Sequence, residues 1–264
     1  MALLLALAIA IITVASVYGF LVPTWHMPPA ISGDYGVAYD SHFHLTLVVM
    51  GVIFFAAQIA LAFVVFTGRD QGGRGVYSHG NTKLEITWTT ATAVIFVGLV
   101  LMGLHIWESA HIEAARADAV KVELWGQQFS WYARYPGPDG QLGRTVPELM
   151  KESTGNPLGL DPNDPNSRDD VIMPVIAIPV NRQVELTLRS KDVTHNFFVR
   201  ELRLKQDIVP GLETKLHFTA DKIGDYEVPC SELCGLGHYQ MRTFLQVKSQ
   251  EDFDQWLRDN APGQ

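Results

Sequence analysis

Hydrophobic positions fall into two regimes along the chain. The first part holds three long uncharged stretches: Ala2 to about Val22, about Leu45 to Phe66, and the segment between Glu85 and Glu108. Each is long enough to cross a bilayer core, which needs roughly 20 apolar residues. The last two predict a transmembrane α-helical hairpin joined by a short polar loop, Thr67 to Thr82. From Val120 onward apolar runs become short and are broken by Pro and Gly. VKVELWGQQFSWYARY reads as a strand pair or bent strand, while VIAIPV and QVELTLRS alternate with period two. HNFFVREL, TKLHFTA, GDYEVPC and MRTFLQVKS are further short strands. Strands at this spacing predict a β-sandwich or barrel.

Two segments break the strand pattern. Residues 136–170 form a turn-rich insertion without periodicity, and loops that long are usually functional or contact a partner. The chain ends in an amphipathic helix with Ser249 as N-cap and Phe253, Trp256 and Leu257 on one face. The expected layout is an N-terminal membrane helix and external linker over 1–43, the helical hairpin over 44–110, and an external all-β domain with a C-terminal helix over 111–264.

The first apolar stretch has no basic n-region and no clear small-x-small cleavage site. A retained third membrane helix is therefore expected, with a cleaved signal peptide as the alternative. Arg69, Arg74 and Lys83 lie in or beside the hairpin loop, whereas residues 23–43 contain no Lys or Arg. The positive-inside rule then places the loop in the cytoplasm and the long C-terminal domain on the outer, periplasmic face of the cell membrane.

Charge is equally uneven. Before Glu108 there are only three basic and four acidic residues; the remaining 17 basic and 24 acidic residues give the second part a net charge of −7. An acidic outer domain suits a cationic protein partner and argues against nucleic acid. A merely solvated surface accounts for the charge equally well.

The chemistry lies in CSELCGLGHYQM, residues 230–241: two thiols, one imidazole and one thioether within twelve residues. A second imidazole, His195, stands upstream in SKDVTHNFFV. Sulfur ligands select soft metals, copper above all, and imidazole suits copper too. A mononuclear blue-copper site takes two His, one Cys and a weak Met, so this segment carries one Cys more than that set needs. Two sulfurs can bridge two copper ions, and a bridged pair sharing one electron suits electron transfer rather than hydrolysis. A Cys230–Cys234 disulfide is the first alternative for an outer domain. Zinc is a weaker one, because its motifs favour closer Cys pairs. No Cys-x-x-Cys-His occurs, so no c-type haem is expected on this chain.

The segment resembles the dinuclear copper (CuA) loop of cytochrome c oxidase subunit II, Cys-x-Glu-x-Cys-x-x-x-His-x-x-Met. SKDVTHNFFVRELRLKQDIVPG, GQQFSWYARY and the membrane hairpin extend the resemblance over roughly residues 45–258. It implies a cupredoxin-like Greek-key sandwich. It also implies that Cys230 and Cys234 bridge the coppers, that His195 and His238 bind one ion each, and that Met241 is a weak ligand. Glu232 would lend its backbone carbonyl to the copper pair and its side chain to a magnesium ion at the interface with subunit I. The implied function is to accept electrons from reduced cytochrome c and pass them to haem in subunit I, for oxygen reduction coupled to proton translocation. Other oxidase subunits and the lipid membrane complete the partners.

Several positions carry separate expectations. Glu85 matches a carboxylate near the mouth of a proton pathway, although Thr82 and Glu85 also read as a capping box. Phe129 stands where the family usually has the tryptophan that receives the carrier's electron, and Trp131 is two residues on; either could receive the electron. That departure leaves room for a membrane-tethered or fused cytochrome as donor. Arg200 replaces a common proline, which puts a cation near the copper loop. Asp192 and Asp207 match acidic positions that could dock the carrier or contact an interface. His42, His44, His105 and His111 flank the spans and are read as interfacial, without a metal. Competing readings are a quinol oxidase subunit II, which lacks the copper ligands; a membrane-anchored copper-delivery protein; and nitrous oxide reductase, a longer soluble enzyme.

Overall fold

The computed structural model describes residues 2–22, 27–68, 73, 75, 77 and 79–262. Arg69 and Arg74, on which the placement of the hairpin loop rests, lie outside the described residues. The chain divides into two units: Met1–Pro28 with Asp40–His105, and Pro29–Tyr39 with Ile106–Gln264.

Three helices dominate the first unit: α1 (Ala2–Leu21), α2 (Tyr35–Thr67) and α3 (Thr82–His111). All three are long and apolar enough to cross a membrane. Their Leu, Ile, Val and Phe side chains point outward almost everywhere. In water each exposed Å² would forgo about 25 cal/mol; in lipid that cost vanishes. Helix α2 starts ten residues before the apolar run, at Tyr35, where the Val37 N–H of its first turn is taken by the Ser32 carbonyl at 3.1 Å. The start of α3 also differs from expectation. Asn81, not Thr82, is the cap: its Oδ1 accepts the Leu84 N–H at 3.2 Å, and its carbonyl accepts the Glu85 N–H at 2.9 Å. Asparagine caps at least as well as threonine, so Thr82 becomes the first helical residue and Glu85 moves out of capping-box register.

The second unit is built from ten strands. A five-stranded sheet runs in the order β3 (Val171–Met173), β2 (Ser130–Tyr135), β1 (Val120–Gln127), β5 (Gln183–Ser190), β8 (Thr214–Thr219). A second sheet runs β4 (Ile176–Pro179), β10 (Arg242–Lys248), β9 (Gly224–Pro229), and β6 (His195–Val199) pairs with β7 (Leu204–Ile208). The pairs β1–β5 and β4–β10 are parallel. Alternation works as the sequence implies: Val184, Leu186 and Leu188 of β5 point into a core shared with Leu124, Ile178, Phe197, Leu204, Phe218 and Leu245. Strands β3 and β7 are additional to the expected set. The first is only three residues long, and the exposed Lys205 and Asp207 side chains mask the second.

The insertion has three short 3₁₀ turns and no strand longer than a bridge, as its lack of periodicity implies. Its two ends meet at Arg134 of β2. The buried guanidinium binds Glu123 Oε2 at 2.9 Å and Asp170 Oδ2 through Nε at 3.0 Å, and also donates to the Gly143 carbonyl. The C-terminal helix α4 (Gln250–Asp259) is capped as expected, with Ser249 Oγ accepting the Asp252 N–H at 3.0 Å. Phe253 and Trp256 pack on the buried Tyr135 ring. The Tyr135 hydroxyl accepts the Ala177 N–H at 2.7 Å, and burial pushes its pKa up.

Candidate metal centre

The twelve-residue loop hangs between β9 and β10. Its ends are tied where the strand ladder stops: the Cys230 N–H donates to the Met241 carbonyl at 2.9 Å. That closure puts the first and last sulfur-bearing residues side by side. Between them the chain turns at Gly235 (φ +136°), and the His238 N–H donates to the Gly235 carbonyl at 3.1 Å. Gly235 and Gly237 are bare because the Phe129 ring lies against them. A Cβ at 237 would fall 2.5 Å from that ring, and one at 235 would fall 2.7 Å from Gln128 Nε2.

His195 opens β6 and is fully buried. Its ring rests on Gly126, where a Cβ would fall 2.8 Å from the imidazole, and meets Trp131 edge-on at 5.9 Å. Nε2 lies 2.8 Å from Asp192 Oδ1. A carboxylate there holds the proton on Nε2 and leaves Nδ1 as the free donor, and Nδ1 is the atom that faces Cys230 Sγ, at 3.9 Å.

The donor atoms converge. Cys230 Sγ and Cys234 Sγ are 3.9 Å apart, and both cysteines are free and buried. Cys230 Sγ lies 3.2 Å from the Glu232 carbonyl; Cys234 Sγ lies 3.5 Å from His238 Nδ1 and 3.7 Å from Met241 Sδ. The ligating atoms of His195, Cys230 and Cys234 all fall within 4.8 Å of one another. Each sulfur thus has an imidazole nitrogen and one weaker donor beside it. All six residues named from the loop motif and its upstream histidine come together.

The other predicted residues are distributed differently. The Glu232 side chain is exposed. Glu85 belongs to the first unit, in the opening turn of α3. Phe129 is 40% exposed beside the loop, whereas Trp131 is 2% exposed beneath it and presents nothing to a docking surface. Arg200 pairs with its neighbour Glu201 at 2.9 Å. Asp207 accepts from Asn196 Nδ2 at 2.6 Å, and Asp192 is bonded inward to His195. Two residues escaped the sequence reading: Gly126, signalled only by a glycine at a strand end, and Gln128, whose Nε2 donates to the Cys234 carbonyl at 2.6 Å.

Before a metal binds, the two thiols differ. Burial works against the Cys230 thiolate, but hydrogen bonding from His195 and from the backbone at Glu232 and Asn196 brings its pKa down to about 6. Burial and the negative charge on Cys230 push Cys234 up to about 11. At neutral pH one thiol of the pair therefore keeps its proton. A metal bridging both sulfurs must expel that proton, so affinity is expected to rise about tenfold per pH unit between the two values. Copper titration of the metal-free chain across that range, with released protons measured by an indicator dye, checks this; a pH-independent affinity would contradict it.

Two free thiols, two imidazoles and a thioether on a β unit, in a chain whose described residues include three membrane-length helices, define a candidate soft-metal centre in a membrane protein. A profile described as cytochrome c oxidase subunit II, periplasmic domain, matches residues 161–248. The chain is 35% identical to the alternative cytochrome c oxidase subunit 2 of Bradyrhizobium diazoefficiens over 256 residues, covering 96% of this chain and 90% of that one. It is 30% identical to cytochrome c oxidase subunit 2 of Thermostichus vulcanus over 257 residues, covering 88% and 78%. The solved periplasmic domain of subunit II of cytochrome oxidase from Bradyrhizobium japonicum aligns with 56% of this chain and 96% of its own, at 24% identity and a TM-score of 0.41. The chain belongs to the cytochrome c oxidase subunit II family, whose members are subunits of haem–copper oxidases, and residues 161–248 of its β unit match that family's periplasmic domain.

Proposed function

We propose that this chain accepts single electrons from a reduced cytochrome c, soluble or membrane-tethered, and passes them to haem in subunit I of its oxidase. Oxygen is reduced there, coupled to proton translocation. The observation that carries the reading is the pair of free thiols 3.9 Å apart, each with an imidazole nitrogen beside it. The donor set fits a dinuclear copper centre, which the sulfurs of Cys230 and Cys234, the imidazoles of His195 and His238, the Met241 thioether and the Glu232 carbonyl would hold. Copper held this way would supply one delocalised electron that can be gained or lost with little change of geometry.

The chain's own residues supply the setting. Burial of both thiols and of His195 keeps water from the donor atoms. Phe129 covers the loop at Gly235 and Gly237, and Leu236 between those glycines is 98% exposed. With Leu233 and Tyr239, 78% and 80% exposed, it makes an apolar patch on the loop that suits contact with a partner. We therefore place the electron's entry route at Phe129 and donor contact at Leu236, with Trp131 beneath them as filling. Glu85, at the opening of α3, takes protons toward subunit I in this reading. The exposed Glu232 carboxylate is free to share a magnesium ion with that subunit. The β unit is read as a Greek-key sandwich on the outer face of the membrane.

The test uses the full chain in its oxidase, in detergent. Metal analysis should give two copper ions per chain beyond those of subunit I, with one unpaired electron shared by two copper nuclei in the oxidised state. Phe129→Ala should slow oxidation of reduced cytochrome c while leaving that signal intact. A single mononuclear copper overturns the reading. A copper-loaded chain that copurifies with no haem subunit would instead make it a copper-delivery protein.

A further inference from the structure

Asp192 matches an acidic position expected to dock a cationic carrier, but its contacts run inward. It sits in the turn between β5 and β6, which Ser190 pins: the Ser190 hydroxyl donates to the Val193 carbonyl at 2.5 Å and accepts the Asp192 N–H at 3.3 Å. From there Oδ1 lies 2.8 Å from His195 Nε2 and accepts the Val193 N–H at 2.7 Å. Oδ2 accepts the backbone N–H of Gln128 at 2.7 Å. Only 30% of the side chain is exposed. Burial works against its charge, yet these donors hold its pKa below the ordinary carboxylate range. The neighbouring cation does not reach outward either: Lys191 Nζ is spent on the Gln127 side chain and on the Pro157 carbonyl at 2.7 Å.

The consequence of these contacts is a single connected frame. One carboxylate joins the buried imidazole to the turn that carries Phe129. The side chain of Gln128, the residue whose main chain it holds, reaches the Cys234 carbonyl at 2.6 Å. Residues 126–129, 192–195 and 234–235 are thereby fixed to one another, though they lie far apart in sequence.

We propose that Asp192 is a positioning residue, fixing His195 with Nδ1 toward the sulfurs and tying that ligand to the turn bearing Phe129. This rests on the copper reading above. Carboxylates behind a ligating histidine orient the ring and raise its basicity, and their loss typically costs roughly 10- to 100-fold in metal affinity.

Two variants in the assembled oxidase test it. Asp192→Asn keeps the shape but removes the charge and sets an N–H against a donor. Asp192→Glu keeps the charge and displaces both oxygens by one methylene. Both should shift the reduction potential of the copper centre and alter the histidine-nitrogen couplings in its electron paramagnetic resonance spectrum. Both should also speed copper loss to a chelator by roughly 10- to 100-fold. The inference fails if Asp192→Glu leaves potential, spectrum and copper retention unchanged while Asp192→Asn raises KM and flattens its salt dependence; Asp192 is then a docking contact. It also fails if both variants lose the β fold, since Asp192 would then serve folding alone. If the unsubstituted oxidase lacks a dinuclear signal, it is the copper reading that falls, and the two failures are told apart.

Discussion

Cys234→Ser should convert the site into a mononuclear one. A serine hydroxyl stays protonated at any working pH and is a hard donor, so it cannot replace a bridging thiolate for copper. What remains is one cysteine, two histidines and a methionine, the donor set of a blue-copper site. Copper per chain should fall from two to one, and the unpaired electron should become confined to a single nucleus. Oxidation of reduced cytochrome c by the oxidase should fall with it. The fold should survive, because the Cys230–Met241 closure and the β9–β10 ladder do not involve the Cys234 side chain. A Cys234→Ser chain that still carried two coppers sharing an electron would remove the basis for the bridging assignment.

Arg134→Ala should be strongly destabilising to the β unit while leaving the metal ligands untouched. It removes the cation from Asp170, 2% exposed, and one of two arginines from Glu123, 5% exposed, whose Oε1 keeps Arg189 at 2.7 Å. Breaking a buried pair by removing one partner costs about 3–5 kcal/mol, against a typical domain stability of about 5–15 kcal/mol. Burial already raises the Asp170 pKa in spite of Arg134. Without the arginine it rises further, so the carboxyl sheds its buried charge by taking a proton. The penalty should therefore be largest at neutral pH and shrink as pH falls. Thermal unfolding of the β unit in the full chain, at several pH values, measures this. In the Arg134→Met, Asp170→Leu double variant the loss should be much smaller than the sum of the single changes, because no lone charge is left inside.

How much of this was legible in the sequence depended on how far apart the interacting residues lie. The three long apolar helices are local facts of length and apolarity, and the C-terminal helix is a local fact of capping; all four appear in the structure, with α2 starting ten residues ahead of its apolar run. The metal loop is also local, since four side chains and one carbonyl fall within twelve residues; His195, outside it, was reached through the resemblance of SKDVTHNFFV to the family's strand. Strand β7 was hidden because its outward Lys205 and Asp207 make a buried strand look polar. The cap of α3 was misplaced by one residue because Asn81 and Thr82 are both competent caps and only the hydrogen bond distinguishes them. Burial of Trp131 and exposure of Phe129 could not be separated from sequence, as neighbours on a turn give no face assignment. The link from Gln128 to the Cys234 carbonyl spans 106 positions, and no periodic pattern records a single amide bond over that distance.

The clamp at Arg134 has a practical side. The Gly143 N–H also donates to Asp170 Oδ2, at 3.1 Å, so the chain between them leaves and returns at one point. Lengthening a loop whose ends are already joined costs little, about 0.6 kcal/mol for each doubling. Exposed Gly155, in a left-handed turn within that loop, is therefore where a tag or a reporter group could be spliced in. The sheets would not have to move, and the metal loop would be left as it is.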